Sequence, residues 1–185
     1  MGDIAWAASG AALVLAAATS AAAFETVIGG LAGECSALAR EGRSDQRSLE
    51  ICSTALSREL LGPRERAGTL VNRGAMRLLG GSGEQAHLDF HAALKLQPDM
   101  GEAHVGEGVY LISREQWADA ERSITRGLEL GSEEPEKGYY FRGVARWGQD
   151  DLKGAYLDFS KAAALKPGWA LPRQELAHFT VTPAR

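Results

Sequence analysis

Apolar residues recur with helical period along most of the chain. Leu31, Cys35 and Leu38 stand at i, i+4 and i+7 before Gly42 and Ser44 break the stripe. Leu49, Cys52, Leu56 and Leu60 form a second stripe that Gly62-Pro63 ends. Together they predict a first, degenerate helical hairpin over residues 29–66. Beyond it the pattern becomes a repeat. Ala86–Pro98 (AHLDFHAALKLQP) returns at Ala155–Pro167 (AYLDFSKAAALKP) with seven of 13 positions identical, and a weaker copy covers Ala120–Ser132. The three alanines that open these copies lie 34 and 35 residues apart, a period that means stacked supersecondary units.

Three clear repeats follow from this spacing, at 67–100, 101–135 and 136–168. Each first helix carries glycine at its eighth position: Gly74, Gly108 and Gly143. Each second helix carries a bulky apolar residue at position 24 (Phe90, Ile124, Phe159) and a small one at 27 (Ala93, Gly127, Ala162). Small residues at fixed places let antiparallel helices approach closely, and the bulky one fills the gap toward the next hairpin. No hairpin buries its apolar face alone, so the units must stack. Ser82 with Gln85 and Asp99 with Glu102 are spaced as capping boxes, and Pro98 and Pro167 mark helix ends. Past Pro167, Trp169, Leu171, Leu176 and Phe179 predict a short capping helix within 169–180.

With these residues in view, the chain resembles the tetratricopeptide repeat (TPR) family. Gly74, Ala86, Phe90, Ala93 and Pro98 match its pattern in the first clear repeat, and Gly143, Ala155, Phe159, Ala162 and Pro167 in the last. Asn72-Arg73-Gly74 and Phe141-Arg142-Gly143 resemble the Asn-Arg-Gly first helix of bacterial, exported members. Arg73, Glu107 and Arg142 replace the usual Leu, and Ser132 replaces the Pro of the middle repeat. The resemblance implies an all-α, right-handed α-solenoid of helix-turn-helix repeats.

The N-terminus is different in kind. No charge falls between Asp3 and Glu25, Ala11–Ala18 (AALVLAAA) forms an apolar centre, and Ala21-Ala22-Ala23 offers small residues before Phe24. This is the shape of a signal peptide over 1–23, although Met1–Asp3 holds no Lys or Arg. The rival is an uncleaved anchor, since the uncharged run is long enough to span a bilayer. Leu31-Ala32-Gly33-Glu34-Cys35 falls short of a lipoprotein box because Glu34 precedes the cysteine. The expected location is periplasmic or secreted, with an inner-membrane anchor facing the periplasm as the alternative. A net charge of −4 provides no basic field for nucleic acid.

Cys35 and Cys52 are the two cysteines, and register places them face to face across the first hairpin. A disulfide there suits an oxidising compartment, with two buried thiols as the alternative. His87 and His91 share a helix face around Asp89, yet no third ligand is near, so no metal is expected and both are read as solvated. No nucleophile elbow, HExxH or phosphate loop is present, so no enzyme and no cofactor are expected.

What remains is surface. The family's concave face implies a groove of Val71, Asn72, Ala75 and Leu78, then Val105, Val109 and Ile112, then Lys137, Tyr140, Val144 and Trp147. Its apolar composition suits a protein or peptide segment, with the chain's own N-terminal segment or capping helix as the alternative occupant, and Val71 and Ala75 exclude the family's carboxylate clamp. The expected role is a non-enzymatic interaction scaffold. The alternatives are a membrane-anchored structural subunit of an envelope complex and, behind it, a metal or redox protein.

Overall fold

The computed structural model describes residues 30–179, so the expected signal segment lies outside the described residues. Within them the chain forms nine helices and no strand: α1 (Gly30–Arg40), α2 (Gln46–Arg58), α3 (Pro63–Leu79), α4 (Gly83–Leu96), α5 (Gly101–Ser113), α6 (Trp117–Glu129), α7 (Pro135–Trp147), α8 (Leu152–Leu165) and α9 (Ala170–Leu176). Successive helices pair as antiparallel hairpins, and each hairpin packs on the next. The first helices of neighbouring hairpins also touch, α1 with α3, α3 with α5 and α5 with α7, and no comparable contact joins α2, α4, α6 and α8. A stack whose first helices close up while its second helices spread is curved, with the first helices inside.

The glycine pattern explains the hairpin spacing. A Cβ on Gly74 would stand 2.7 Å from the Phe90 ring, and one on Gly143 2.7 Å from the Phe159 ring. The middle hairpin sets Gly108 against Ile124 in the same way. Gly101 and Gly127 lie back to back, each would-be Cβ 2.7 or 2.6 Å from the other's carbonyl oxygen. Phe90, Ile124 and Phe159 are completely buried. Eighth-position glycine therefore receives the bulky residue of its own hairpin, and Phe90 also reaches forward to Gly106 of the next.

Turn chemistry repeats as well. The three turns inside the clear hairpins place Gly81, Glu115 and Asp150 at positive φ, 77°, 58° and 61°. After each, an N–H returns to a carbonyl five residues back: Ser82 to Arg77 at 2.7 Å, Gln116 to Leu111 at 3.0 Å and Asp151 to Arg146 at 3.0 Å. The expected capping boxes do not form. The Ser82 side chain makes no capping bond, α5 is preceded by Met100, and the Glu102 carboxylate instead accepts the Glu133 N–H at 2.6 Å. N-cap side chains accept a helix N–H at Asp45 on α2 and Asp151 on α8, and Glu65 accepts the Gly62 N–H at 3.4 Å at the start of α3.

The first hairpin is held by different means. Cys35 and Cys52 form a disulfide, with Cα atoms 4.9 Å apart and both residues fully buried. Met76 completes this small core, with its sulfur 3.6 Å from that of Cys52, and Leu38, Ala39, Leu49 and Ile51 border it. The Glu59 carboxylate, arriving from the far end of α2, accepts the first N–H groups of α1, Leu31 at 2.6 Å and Ala32 at 3.0 Å. An anion at that end also meets the positive pole of the helix dipole.

Candidate functional site: the inner helix face

The inner surface is built by α1, α3, α5 and α7, the first helices that touch along the stack, and the expected groove residues fall on the last three. Of the residues expected there, Ala75 and Leu78 on α3, Val109 and Ile112 on α5 and Val144 on α7 are half-buried. Not every residue expected there is equally open. Val71 packs against the core cluster of Leu56, Ala67, Leu70, Ala93 and Ala103. Val105 is buried, with its side chain directed at Gly127 of the paired helix. Asn72 is half-buried, and Gly106, in its register one repeat on, points at Phe90 of the preceding hairpin. Lys137 donates to Glu134 at 2.7 Å on the edge of the surface.

Tyr140 and Trp147 meet the chain's own C-terminus. The Tyr140 ring lies 4.9 Å from that of Trp169, and its hydroxyl donates to Glu175 at 3.3 Å. Burial, reinforced by the Glu175 charge, pushes the Tyr140 phenol above its ordinary pKa. Trp147 touches His178 at 5.7 Å and Phe179 at 5.1 Å between ring centres. The aromatic side chains of α7 are thus met by Trp169, Glu175 and the turn after α9, while α9 itself packs on α8.

Two charge clusters lie between the layers where register alone suggested misfit. Arg73 and Arg77 converge on Asp89, and Arg142 and Arg146 on Asp158, so the arginine that stands in place of Leu is an ion-pair donor. The Asp158 hydrogen bond holds the Arg142 guanidinium above its already high pKa. The signal was present in the chain: both copies place Arg 16 and 12 residues before an identical Asp. The middle hairpin has Glu107, Leu111 and Ser123 in those places. Its Glu107 turns back to His87 Nδ1 at 2.8 Å, and the His87 ring stacks on Tyr110 at 4.7 Å. His87 is consequently an inter-hairpin contact and not the solvated side chain expected, whereas His91 is exposed. Among the described residues no group of three or more His, Cys, Asp or Glu could hold a metal ion.

No family model and no curated protein matches the sequence. Solved structures do match the fold. The first TPR domain of human RPAP3 superposes with a TM-score of 0.57 at 22% identity, over 63% of this chain and 90% of that one. MamA 41-end from Desulfovibrio magneticus RS-1 gives 0.58 at 22% identity over 79% of each chain, and a MamA RS-1 double mutant 0.57 at 21% over 79% of each. The chain has the tetratricopeptide-repeat fold. The resemblance drawn from Gly74, Phe90, Gly143 and Phe159 and the superposition of whole arrays agree on this architecture. It sets the two layers of helices in the TPR array. No described helix is long and apolar enough to cross a membrane.

Proposed function

We propose that this TPR array is a non-enzymatic scaffold that binds an apolar segment of a partner protein along α3, α5 and α7. The observation that carries the reading is the run Ala75, Leu78, Val109, Ile112 and Val144, apolar and half-open on the layer where first helices meet. Such a surface gains from excluding water and has few charges to desolvate. Ile112 sits mid-array, so a charge there meets an apolar ligand at its centre. Ile112→Asp should weaken capture by several kcal/mol, on the order of the cost of an unpaired charge in an apolar contact. A crosslinked pull-down from intact cells decides it. A protein captured by wild type and lost with a folded Ile112→Asp variant supports the groove, and identical capture by both removes it.

The same reading places the array beyond the cytoplasm, periplasmic or secreted, after removal of residues 1–23. The fully buried Cys35–Cys52 pair favours this, since such bonds persist where thiols are not kept reduced. N-terminal sequencing of protein from cells tests it: a soluble chain starting at Phe24 supports export, and an intact N-terminus in the membrane fraction favours the anchored structural subunit.

A further inference from the structure

We propose that the C-terminal strap, Glu175 to Phe179, is a displaceable occupant of the aromatic surface that α7 and α8 present at the end of the stack, next to the inner face. The chemistry this end accepts is a helical turn bearing an aromatic side chain. The inference deepens the groove reading above and rests on it.

The argument begins with how each hairpin is covered by its successor. Phe90 is closed over by α5, a helix of 13 residues, whose backbone at Gly106 lies directly on the ring. Phe159 is the same residue one end further on, and part of its cover is the ring of Phe179 at 6.1 Å. That ring belongs to no helix. α9 has seven residues, too few to be stable by itself, and it is pinned at Pro172, which is buried. Arg173, Gln174, Ala177 and His178 are exposed. The N–H groups of Ala177, His178 and Phe179 return to the carbonyls three residues back, at 3.2, 3.0 and 3.1 Å. A side chain delivered by one such turn is a local contact that opens without unfolding the array.

The receiving surface is matched to that side chain. Positions in the register of Trp147 are Leu78 and Ile112 in the other repeats, and those in the register of Tyr140 are Val71 and Val105. In these two registers aromatic residues stand only on α7, where the strap lies. Phe179 meets Trp147 at 5.1 Å and Tyr156 at 5.9 Å, both with tilted or edge-on rings, the arrangement aromatic pairs prefer. Tyr140 adds a hydroxyl that reaches the Glu175 carboxylate. A partner segment presenting an acidic residue one helical turn before an aromatic one reproduces both contacts, and it must first displace the strap.

The test uses the full chain and a small probe, N-acetylphenylalaninamide, with N-acetylalaninamide as control. In Phe179→Ala the vacated surface should take the probe, read as a saturable shift of the Trp147 indole N–H resonance in the millimolar range. Wild type, whose site is filled, should respond at least tenfold less. No shift in the variant, or equal shifts in both proteins, overturns the proposal. Should Phe179→Ala fail to fold, hydrogen exchange on wild type decides. The amides of Ala177–Phe179 should exchange at least tenfold faster than those of α8, and exchange in step with α8 overturns the strap's opening. Neither measurement involves a partner protein, so the outcome with Ile112→Asp leaves it untouched.

Discussion

Arg73 holds Asp89 through both edges of its guanidinium, Nε at 3.0 Å and Nη2 at 2.7 Å, and Arg142 holds Asp158 in the same way 69 residues later, at 2.9 and 2.8 Å. A second arginine completes each cluster, Arg77 at 2.6 Å and Arg146 at 2.9 Å. Both carboxylates are only 5% exposed. A buried carboxylate with bidentate partners is satisfied, and its removal leaves guanidinium groups uncompensated.

The two clusters differ in a way that denaturation should reveal. Arg146 also pairs with Glu121 at 2.8 Å, whereas Arg77 has only the Gln85 carbonyl beside Asp89. Asp89→Ala should therefore cost about 3 kcal/mol or more, the usual result of breaking one side of a buried pair. Asp158→Ala should cost less, because Arg146 keeps an acidic partner. Urea unfolding of the two variants checks the order, and equal losses would remove the role given to Glu121.

The hairpin core was legible in the chain because it depends on single residue types at fixed places. Gly74, Gly108 and Gly143 at position 8 and Phe90, Ile124 and Phe159 at position 24 proved to be direct partners. Ion pairs across a turn were not, since an arginine taken alone looks like surface. Only the joint recurrence of Arg73 with Asp89 and of Arg142 with Asp158 reveals them. Motif spacing misled at Asp99 and Glu102, where the inter-hairpin loop offered Glu102 the Glu133 N–H in place of a cap. The inner-face register reached Tyr140 and Trp147, but the path of the chain after Pro167 follows no repeat, so the strap over them had no periodic signal.

The disulfide should govern the first hairpin. α1 has 11 residues, and the fully buried members of its core cluster are Cys35, Cys52 and Met76. Its closure spans a sequence separation of 17, worth about 3 kcal/mol in the chain-entropy treatment. Reduction, or Cys35→Ala with Cys52→Ala, should lower the melting temperature and release α1 before the other hairpins. Fragments cut within residues 30–45 on limited proteolysis of the reduced protein would show it. An unchanged melting curve would mean that Glu59 and Leu38 suffice.

Acid should weaken the end of α2 in a defined window. The hydrogen bond from the Ser48 side chain, followed by that from Arg43, holds the Asp45 carboxyl down at about 2 from an ordinary 3.8. A depressed folded-state pKa adds stability above the unfolded value, and that contribution is lost as pH falls from about 4 toward 2. Glu121 and Glu136 act in the same direction: burial opposes their ionisation, but the Arg146 and Lys166 hydrogen bonds outweigh it. Asp45→Asn retains a side chain able to cap and loses the ionisation. Its deficit relative to wild type should be present at pH 6, shrink as pH falls from about 4 toward 2, and vanish only below that. A deficit constant across that range would assign the effect to cap geometry and not to charge.

Two substitutions of opposite sign test the repeat geometry. Glu115 occupies the left-handed turn position that Gly81 fills one repeat earlier, at φ 58° against 77°. A side chain there costs about 1 kcal/mol relative to glycine, so Glu115→Gly should raise stability by a similar amount. Gly127 is the reverse case. It lies inside α6, where alanine is intrinsically the better helix former by about 1 kcal/mol. Yet its Cβ would stand 2.6 Å from the Gly101 carbonyl oxygen and 2.7 Å from Val105 Cγ2, and backbone at a helix crossing cannot swing aside. Overpacking of this kind costs about 1–3 kcal/mol, enough to reverse the propensity gain. Gly127→Ala should thus destabilise in thermal melts, and a stabilised variant would show that α5 and α6 can separate without loss.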